Sequence, residues 1–244
     1  MLLGWEIKGN RRYDPGGEIL QAGFKGDQIQ QAMKLSNVTR LTSAAKMLNH
    51  PLYKSAKSGH LPDARKMVLD ILPKPYRFTH LKGKVCPVMK QSGNKIPLAM
   101  AEIFSLNSEF EICMDVFLKP SVHSNTMIDR LHYLPEYSGV IKPGNYVILD
   151  DVYTSGSTLI ALKHHLESQS GSVIAAYTLG SSKSTLFQPD RFMIHTLYSR
   201  FPGIDKYFDL NLLTSPQIVY LFRFHSIYSI QERYYQNCLS LLHQ

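Results

Sequence analysis

The segment that decides the fold is residues 146–158, with the sequence YVILDDVYTSGST. It opens with a continuous apolar run, residues 146–149, which is typical of a strand buried on both faces of a parallel sheet. Asp150 and Asp151 follow directly, and a loop of small and hydroxyl residues leads into a predicted helix over residues 157–169. Strand, loop and helix in this order predict one βα unit of an open sheet.

The same alternation extends to both sides of this segment. Strand candidates at residues 84–89, 110–118 and 173–179 alternate with a helix candidate at 96–106. The chain is therefore expected to be an α/β protein with an open, mainly parallel sheet and helices on both faces. We expect an N-terminal α+β extension or hood over residues 1–80, this core over 81–182, and a mainly helical C-terminal cap over 183–244.

Three segments outside the core pattern have local predictions of their own. Residues 42–48 are expected to form a short helix, and residues 120–139 form a long polar stretch without a clear period. In the tail, residues 214–217 (TSPQ) have a capping residue followed by proline, which predicts the first turn of a buried helix.

The loop after the two acids has the chemistry of a phosphate site. Its residues carry hydroxyl groups or no side chain: Thr154, Ser155, Gly156, Ser157 and Thr158. Ligands of open parallel sheets bind at the carboxyl ends of the strands, and a helix N-terminus presents unpaired N–H groups and a positive dipole end. Such a loop can hold a phosphate monoester without a lysine.

The two acids need a different ligand, because Asp150 and Asp151 would repel a phosphate. They are suited to accept hydrogen bonds from neighbouring sugar hydroxyls, or to hold Mg²⁺ through water. A phosphate beside a diol describes ribose 5-phosphate. The alternative is a helix cap beside a solvated acid pair.

With these residues in place, the segment resembles the signature of the type I phosphoribosyltransferases: a hydrophobic strand, two aspartates, two hydrophobic residues and a Thr-Thr/Ser-Gly-x-Thr loop. Tyr153 departs from it, since the family has an aliphatic residue there. The resemblance implies that Asp150 and Asp151 bind the ribose and Mg²⁺, and that the loop binds the 5-phosphate of phosphoribosyl pyrophosphate. The family carries an acid at the position of Thr154 in enzymes for 6-oxopurines, so another nitrogen acceptor, such as a different nucleobase, is expected.

The turn at residues 90–95 (KQSGNK) sits where the family has a loop that touches pyrophosphate, and it is followed by IPLAMA, similar to the orotate enzymes. The residues expected to bind there are Lys90, Ser92, Gly93 and Lys95. A glycine-containing turn between two lysines suits an anion. An ordinary strand–helix turn is the alternative.

The resemblance also places a flexible closing loop at residues 119–139. Its cations, Lys119, His123 and Arg130, are the candidate catalytic residues, expected to add positive charge against the leaving pyrophosphate. The orotate enzymes carry a denser basic motif here, and a surface role for His123 is the alternative.

Charge and composition narrow the possible partners, cellular location and alternative functions. The net charge is +8, and residues 74–101 hold six basic residues and no acid, which favours an anionic partner. The three cysteines are far apart, and the N-terminus is charged early, so we expect a cytoplasmic protein without a membrane span. A regulator that binds phosphoribosyl pyrophosphate or a nucleotide without turnover is the alternative function, with nucleic acid and a second copy of the chain as further partners. A third reading is a role in DNA uptake or processing, as in the competence-associated proteins that share the signature, but their zinc-binding cysteines are absent here.

Overall fold

The computed structural model describes residues 37–72, 83–89, 93–106, 109–120, 126–181 and 187–242. All of them belong to one compact unit, Lys34–Gln244. No helix within these ranges is both long and apolar enough to cross a membrane.

The centre of the unit is a five-stranded parallel sheet. Its spatial order is β1-β7-β6-β2-β3, and every neighbouring pair is parallel. The strands are β1 (Thr39–Ser43), β2 (Lys84–Pro87), β3 (Glu111–Ile112), β6 (Gly144–Tyr153) and β7 (Gly171–Ser181), while β4 (Phe117–Leu118) and β5 (Tyr137–Ser138) form a separate antiparallel pair. The expected α/β class with a parallel sheet is confirmed.

Helices cover both faces of the sheet. The helices of the described ranges are α1 (Ala44–Leu48), α2 (Tyr53–Lys57), α3 (Leu61–Ile71), α4 (Ile96–Leu106), α5 (Met127–His132), α6 (Ser157–Glu167), α7 (Arg191–Arg200), α8 (Ser215–Leu221) and α9 (Ile227–Leu242). Val147 and Leu149 pack with α1–α4, whereas Tyr146 and Ile148 pack with α6. This alternation is the period of two that a strand imposes on its side chains.

The described part of the C-terminal tail is mainly helical and has its own apolar core. Helix α5 contributes Ile128 and Leu131 to that core, where they pack with residues of α7, α8 and α9. The predicted cap at residues 214–217 is confirmed, because Thr214 and Gln217 form a capping box at the start of α8, with Pro216 in its first turn. Helix α5 therefore belongs to the C-terminal core although it lies between β4 and β5 in the chain.

Three local predictions were wrong. The single strand expected over residues 110–118 is divided into β3, in the parallel sheet, and β4, in the antiparallel pair. The helix expected over residues 42–48 begins only at Ala44, because residues 39–43 form the edge strand β1 and Ser43 caps the helix. The stretch 120–139 is not a long irregular loop: it contains α5 and β5. The sheet thus takes a strand from before residue 80, and the proposed division at residues 80 and 182 stays a prediction.

Candidate functional site

The acid pair lies near the carboxyl end of β6, which continues beyond it to Tyr153, whereas the sequence predicted that the strand ends at the acids. Asp150 and Asp151 are both buried, with 8% and 4% of their surfaces exposed. Because successive strand residues point to opposite faces, their surroundings differ. Asp151 pairs with Lys57 of α2, whereas Asp150 interacts electrostatically with Arg130 and Tyr137.

Burial and the neighbouring acid determine the protonation of Asp150. Burial raises the pKa of Asp150 well above its usual range, and repulsion from Asp151 raises it further. The backbone N–H of Asp151 donates to Oδ1 of Asp150 at 2.8 Å, which opposes the shift. Burying two neighbouring acids therefore lowers the stability of the fold, and a bound cation or hydroxyl donor would reduce this destabilisation.

Lys57 is a site residue that the sequence did not reveal. Its ammonium group donates a hydrogen bond to Oδ2 of Asp151. Burial lowers the pKa of Lys57, but attraction to Asp151 and the hydrogen bond to it prevail, and the net pKa is raised. No local pattern could have shown this contact, because the two residues lie 94 positions apart.

The hydroxyl loop, residues 154–158, connects β6 to the N-terminus of α6. The hydroxyl oxygens of Ser155 and Ser157 lie 2.5 Å apart, and both residues are buried, while Thr154 is exposed and Thr158 half-buried. Gly156 is the N-cap of α6 and gives the helix no side-chain cap. The backbone N–H of Ser157, the first residue of this 11-residue helix, donates to the Ser155 hydroxyl at 3.4 Å. Gly156 itself offers no side-chain oxygen to the N–H groups that follow.

Gly156 is required at this position for two reasons. Its φ is +76°, a left-handed conformation that residues with a Cβ rarely adopt. An added Cβ would also lie 2.9 Å from the ring of Tyr153 and 3.0 Å from the methyl group of Thr214. Tyr153, the departure from the family pattern, is thus buried directly under the loop.

Arg130 is the cation of the hydroxyl loop. Its Nη1 donates to the hydroxyl of Ser155 at 2.9 Å and to that of Thr154 at 3.3 Å. Burial lowers the pKa of Arg130 and attraction to Asp150 raises it, with a net lowering that still leaves a guanidinium charged at neutral pH. The structure thus brings one of the three candidate catalytic cations to the predicted phosphate loop.

The other two cations do not join this cluster in the described residues. Lys119 lies on β4's C-terminal side, where its Nζ is 3.1 Å from Oε2 of Glu136 and its backbone N–H donates to the Glu136 carbonyl. His123 lies outside the described residues. Their proposed roles stay predictions.

The glycine-containing turn approaches the same end of the sheet. The backbone N–H of Lys95 donates to the carbonyl of Ala56 at 3.1 Å, and Gly93 lies against Gly59. This places the described part of the turn beside the end of α2 that carries Lys57. Lys90 and Ser92 lie outside the described residues, so their part of the expected pyrophosphate contact stays a prediction.

Asp150 and Asp151 have the donor set that Mg²⁺ accepts. Magnesium is usually held by one or two carboxylates together with water and substrate phosphates. The described ranges contain no cluster of three or more His, Cys, Asp or Glu side chains placed to hold a metal.

Comparison with known proteins gives two partial sequence relatives. An uncharacterized protein of Haemophilus influenzae is 30% identical over 131 residues, covering 48% of this chain and 29% of that protein. Protein TraN of Escherichia coli is 27% identical over 161 residues, covering 61% of this chain and 36% of that protein. No protein-family model matches the chain.

Solved structures with a distant likeness to this chain include two phosphoribosyltransferases. Orotate phosphoribosyltransferase from Aeropyrum pernix is 17% identical with a TM-score of 0.31, covering 59% of this chain and 68% of that one. A hypoxanthine phosphoribosyltransferase from Staphylococcus aureus is 14% identical with a TM-score of 0.30, covering 60% and 68%. At such TM-scores the likeness supports no statement about function. The chain spans about a third of the length of the curated relatives that it matches.

Proposed function

We propose that this chain binds phosphoribosyl pyrophosphate with Mg²⁺ and transfers its ribose 5-phosphate to a nitrogen acceptor, a nucleobase other than a 6-oxopurine. The observation that carries the proposal is the contact of Arg130 with the hydroxyl loop at the N-terminus of α6, beside the buried pair Asp150 and Asp151. An anion site and an acid pair at one strand end match the two unlike parts of a ribose 5-phosphate.

The phosphate end of the ligand is assigned to the hydroxyl loop. The loop combines the hydroxyls of residues 154–158, the helix N-terminus at Gly156 and the guanidinium of Arg130. Each of these is a hydrogen-bond donor, and the helix end and the arginine are also positive. A phosphate monoester satisfies all three with its terminal oxygens.

The sugar and the metal are assigned to the acid pair. Carboxylate oxygens accept hydrogen bonds from the two ribose hydroxyls, or from water on Mg²⁺. When bound, the metal neutralises the pyrophosphate charge. Asp151 already accepts a hydrogen bond from Lys57, so this side chain must share its oxygens or release the lysine when the ligand arrives.

The pyrophosphate end is assigned to the surface around Lys57 and Lys95. The Lys57 side chain is 42% exposed, so its ammonium group can be reached from solvent, and the turn with Gly93 packs against the same segment. Positive charge placed here stabilises the pyrophosphate as its bond to the ribose carbon breaks. The nitrogen of the acceptor forms the new bond to that carbon, and its proton leaves to solvent or to the departing pyrophosphate.

Little side-chain chemistry is needed for this transfer. The chain's residues hold the phosphate, fix the sugar and place charge, so orientation and electrostatic stabilisation supply the acceleration. Lys119 and His123 are proposed to add charge when the ligand is bound.

Calorimetry with magnesium phosphoribosyl pyrophosphate tests binding, and pyrophosphate release with a panel of nucleobases tests transfer. Binding with release for one base supports the proposal. Binding without release for any base favours the alternative, a regulator that senses the ligand. Absence of binding at millimolar ligand would refute both.

A further inference from the structure

The capping box at the start of α8 is hydrogen-bonded to the hydroxyl loop. Thr214 and Gln217 are both completely buried. The backbone N–H of Thr214 donates to Oε1 of Gln217 at 2.9 Å, and the Thr214 hydroxyl accepts from the backbone N–H of Gln217. These two bonds fix both side chains and are all that a cap requires.

The Thr214 hydroxyl and the Gln217 amide each also donate a hydrogen bond to a part of the anion site. The hydroxyl of Thr214 donates to the carbonyl of Ser155, which is nearer than Oε1 of Gln217 at 3.1 Å. Nε2 of Gln217 donates to the carbonyl of Arg130 at 2.8 Å. Since Arg130 Nη1 donates to the Ser155 hydroxyl at 2.9 Å, the four residues form a closed circuit.

Both accepting carbonyls lie at the end of an element. Arg130 is in the last turn of α5, which ends at His132, so its carbonyl is among those that bond to groups outside the helix. Ser155 lies in the loop just before the N-cap Gly156. Losing either bond would remove a contact that holds its segment to α8 and would allow that segment to shift.

We propose that Thr214 and Gln217 are positioning residues of the anion site, which set the spacing between the hydroxyl loop and the Arg130 guanidinium. The identity of the anion as a sugar phosphate rests on the function proposed above. The role of the two residues depends only on the bonded circuit. Helix α8 is thereby part of the binding site although neither side chain is assigned a contact with the ligand.

Two variants test the circuit through ligand affinity. Thr214→Val removes the hydroxyl at nearly constant shape, and Gln217→Met removes the amide. Each is expected to weaken binding of magnesium phosphoribosyl pyrophosphate about tenfold, the scale of one lost buried hydrogen bond. Ser226→Ala is the matched control, because Ser226 accepts the N–H of Ser229 at the exposed start of α9, away from the loop. Its affinity should equal that of the wild type.

A double-mutant cycle separates positioning from general destabilisation. Arg130→Met removes the group through which Gln217 is expected to act. In that background, Gln217→Met should weaken binding less than about twofold, because residues that act through one group are not additive. Full additivity of the two substitutions, or wild-type affinity of folded Thr214→Val and Gln217→Met, would overturn the inference.

Amide hydrogen exchange tests the circuit without any ligand. Gln217→Met should speed exchange in residues 127–132 and 154–158 together, with exchange in β6 and β7 unchanged, whereas Ser226→Ala should alter only α9. Unchanged exchange in both segments would overturn the inference even if the wild type binds the ligand. If the wild type fails to bind but both segments loosen, the proposed function falls and the positioning role stands.

Discussion

Lys57 and Asp151 form an ion pair between the end of α2 and the carboxyl end of β6. The carboxylate is 6% exposed and the ammonium side chain 42%. The pair therefore balances a buried negative charge with a cation that solvent and a ligand can still reach. It ties the segment before residue 80 to the centre of the candidate site.

Lys57→Met should destabilise the fold by leaving the Asp151 carboxylate buried without its cation. We expect the free energy of unfolding to fall by about 1–3 kcal/mol, less than for a fully buried pair because Lys57 is partly exposed. Urea denaturation measures it. Lys54→Met, an exposed position on the same helix, is the control and should change stability by less than about 0.5 kcal/mol.

If Lys57 stabilises the fold by pairing with Asp151, a second substitution should reverse its loss. Asp151→Asn should restore most of the stability lost in Lys57→Met, because it removes the unpaired charge. If the double variant is as unstable as the sum of the two single variants, the lysine stabilises the fold by packing and not through Asp151.

Asp150→Asn should stabilise the folded protein, and more so at higher pH. The pKa of Asp150 is raised by burial and by Asp151, above the value of about 3.9 for an unfolded chain. Stability from this group is therefore present below pH of about 4 and is lost as pH rises through the folded pKa. The asparagine variant does not titrate, so its advantage should be larger at pH 8 than at pH 5.

Urea titrations at the two pH values measure that difference. Ser226→Ala, at an exposed position without a titrating side chain, should show no comparable change between them. An advantage of Asp150→Asn that is equal at both pH values would mean that Asp150 is already charged throughout the range. A stabilised but inactive Asp150→Asn would show that the acid is kept for its ligand and not for the fold.

The sequence predicted the parts of the site that are contiguous in the chain. These parts follow one another in the chain: strand β6, its two acids, the hydroxyl loop and α6. The continuous apolar run and the small hydroxyl residues before the helix were therefore enough to predict them. The capping box of Thr214 and Gln217 was likewise visible, because both partners lie within four residues. The hydrogen bonds that each residue of the box forms with other elements were not visible in the sequence.

Contacts between distant segments left no local signal. Thr214 and Ser155 are 59 positions apart, and Gln217 and Arg130 are 87 apart. The edge strand β1 was missed since only one of its five residues is buried, so it lacks the apolar alternation of a half-buried strand. The six-residue helix α5 was missed because so short a helix is stabilised by its packing in the C-terminal core.

Replacing both acids should abolish the sugar end of the site. Asp150→Asn with Asp151→Asn keeps the shape of the pair but removes both charges that are proposed to accept the ribose hydroxyls and to attract Mg²⁺. We expect the affinity for magnesium phosphoribosyl pyrophosphate to fall at least about 100-fold, the scale of two charge-assisted hydrogen bonds. Calorimetry measures it, with circular dichroism to show that the variant is folded. Unchanged affinity in a folded variant would refute the ribose assignment.

Gly156→Ala should damage the phosphate end of the site through the backbone. The residue has φ of +76°, and the new Cβ would meet Tyr153 and Thr214 at 2.9 and 3.0 Å. We expect a loss of about 1–3 kcal/mol in stability from the combination of backbone strain and overpacking. The loop should also move relative to Arg130, so affinity for phosphoribosyl pyrophosphate should fall with it.

Gly144→Ala separates the two causes, because Gly144 also has a positive φ, of +149°, but an added Cβ there meets nothing within 4 Å. It should lower stability without changing ligand affinity, since it lies at the opposite end of β6 from the loop. Thermal unfolding and calorimetry on both variants give the comparison. If Gly156→Ala binds phosphoribosyl pyrophosphate as tightly as Gly144→Ala does, the backbone at Gly156 does not form the phosphate site, and the anion must be held elsewhere.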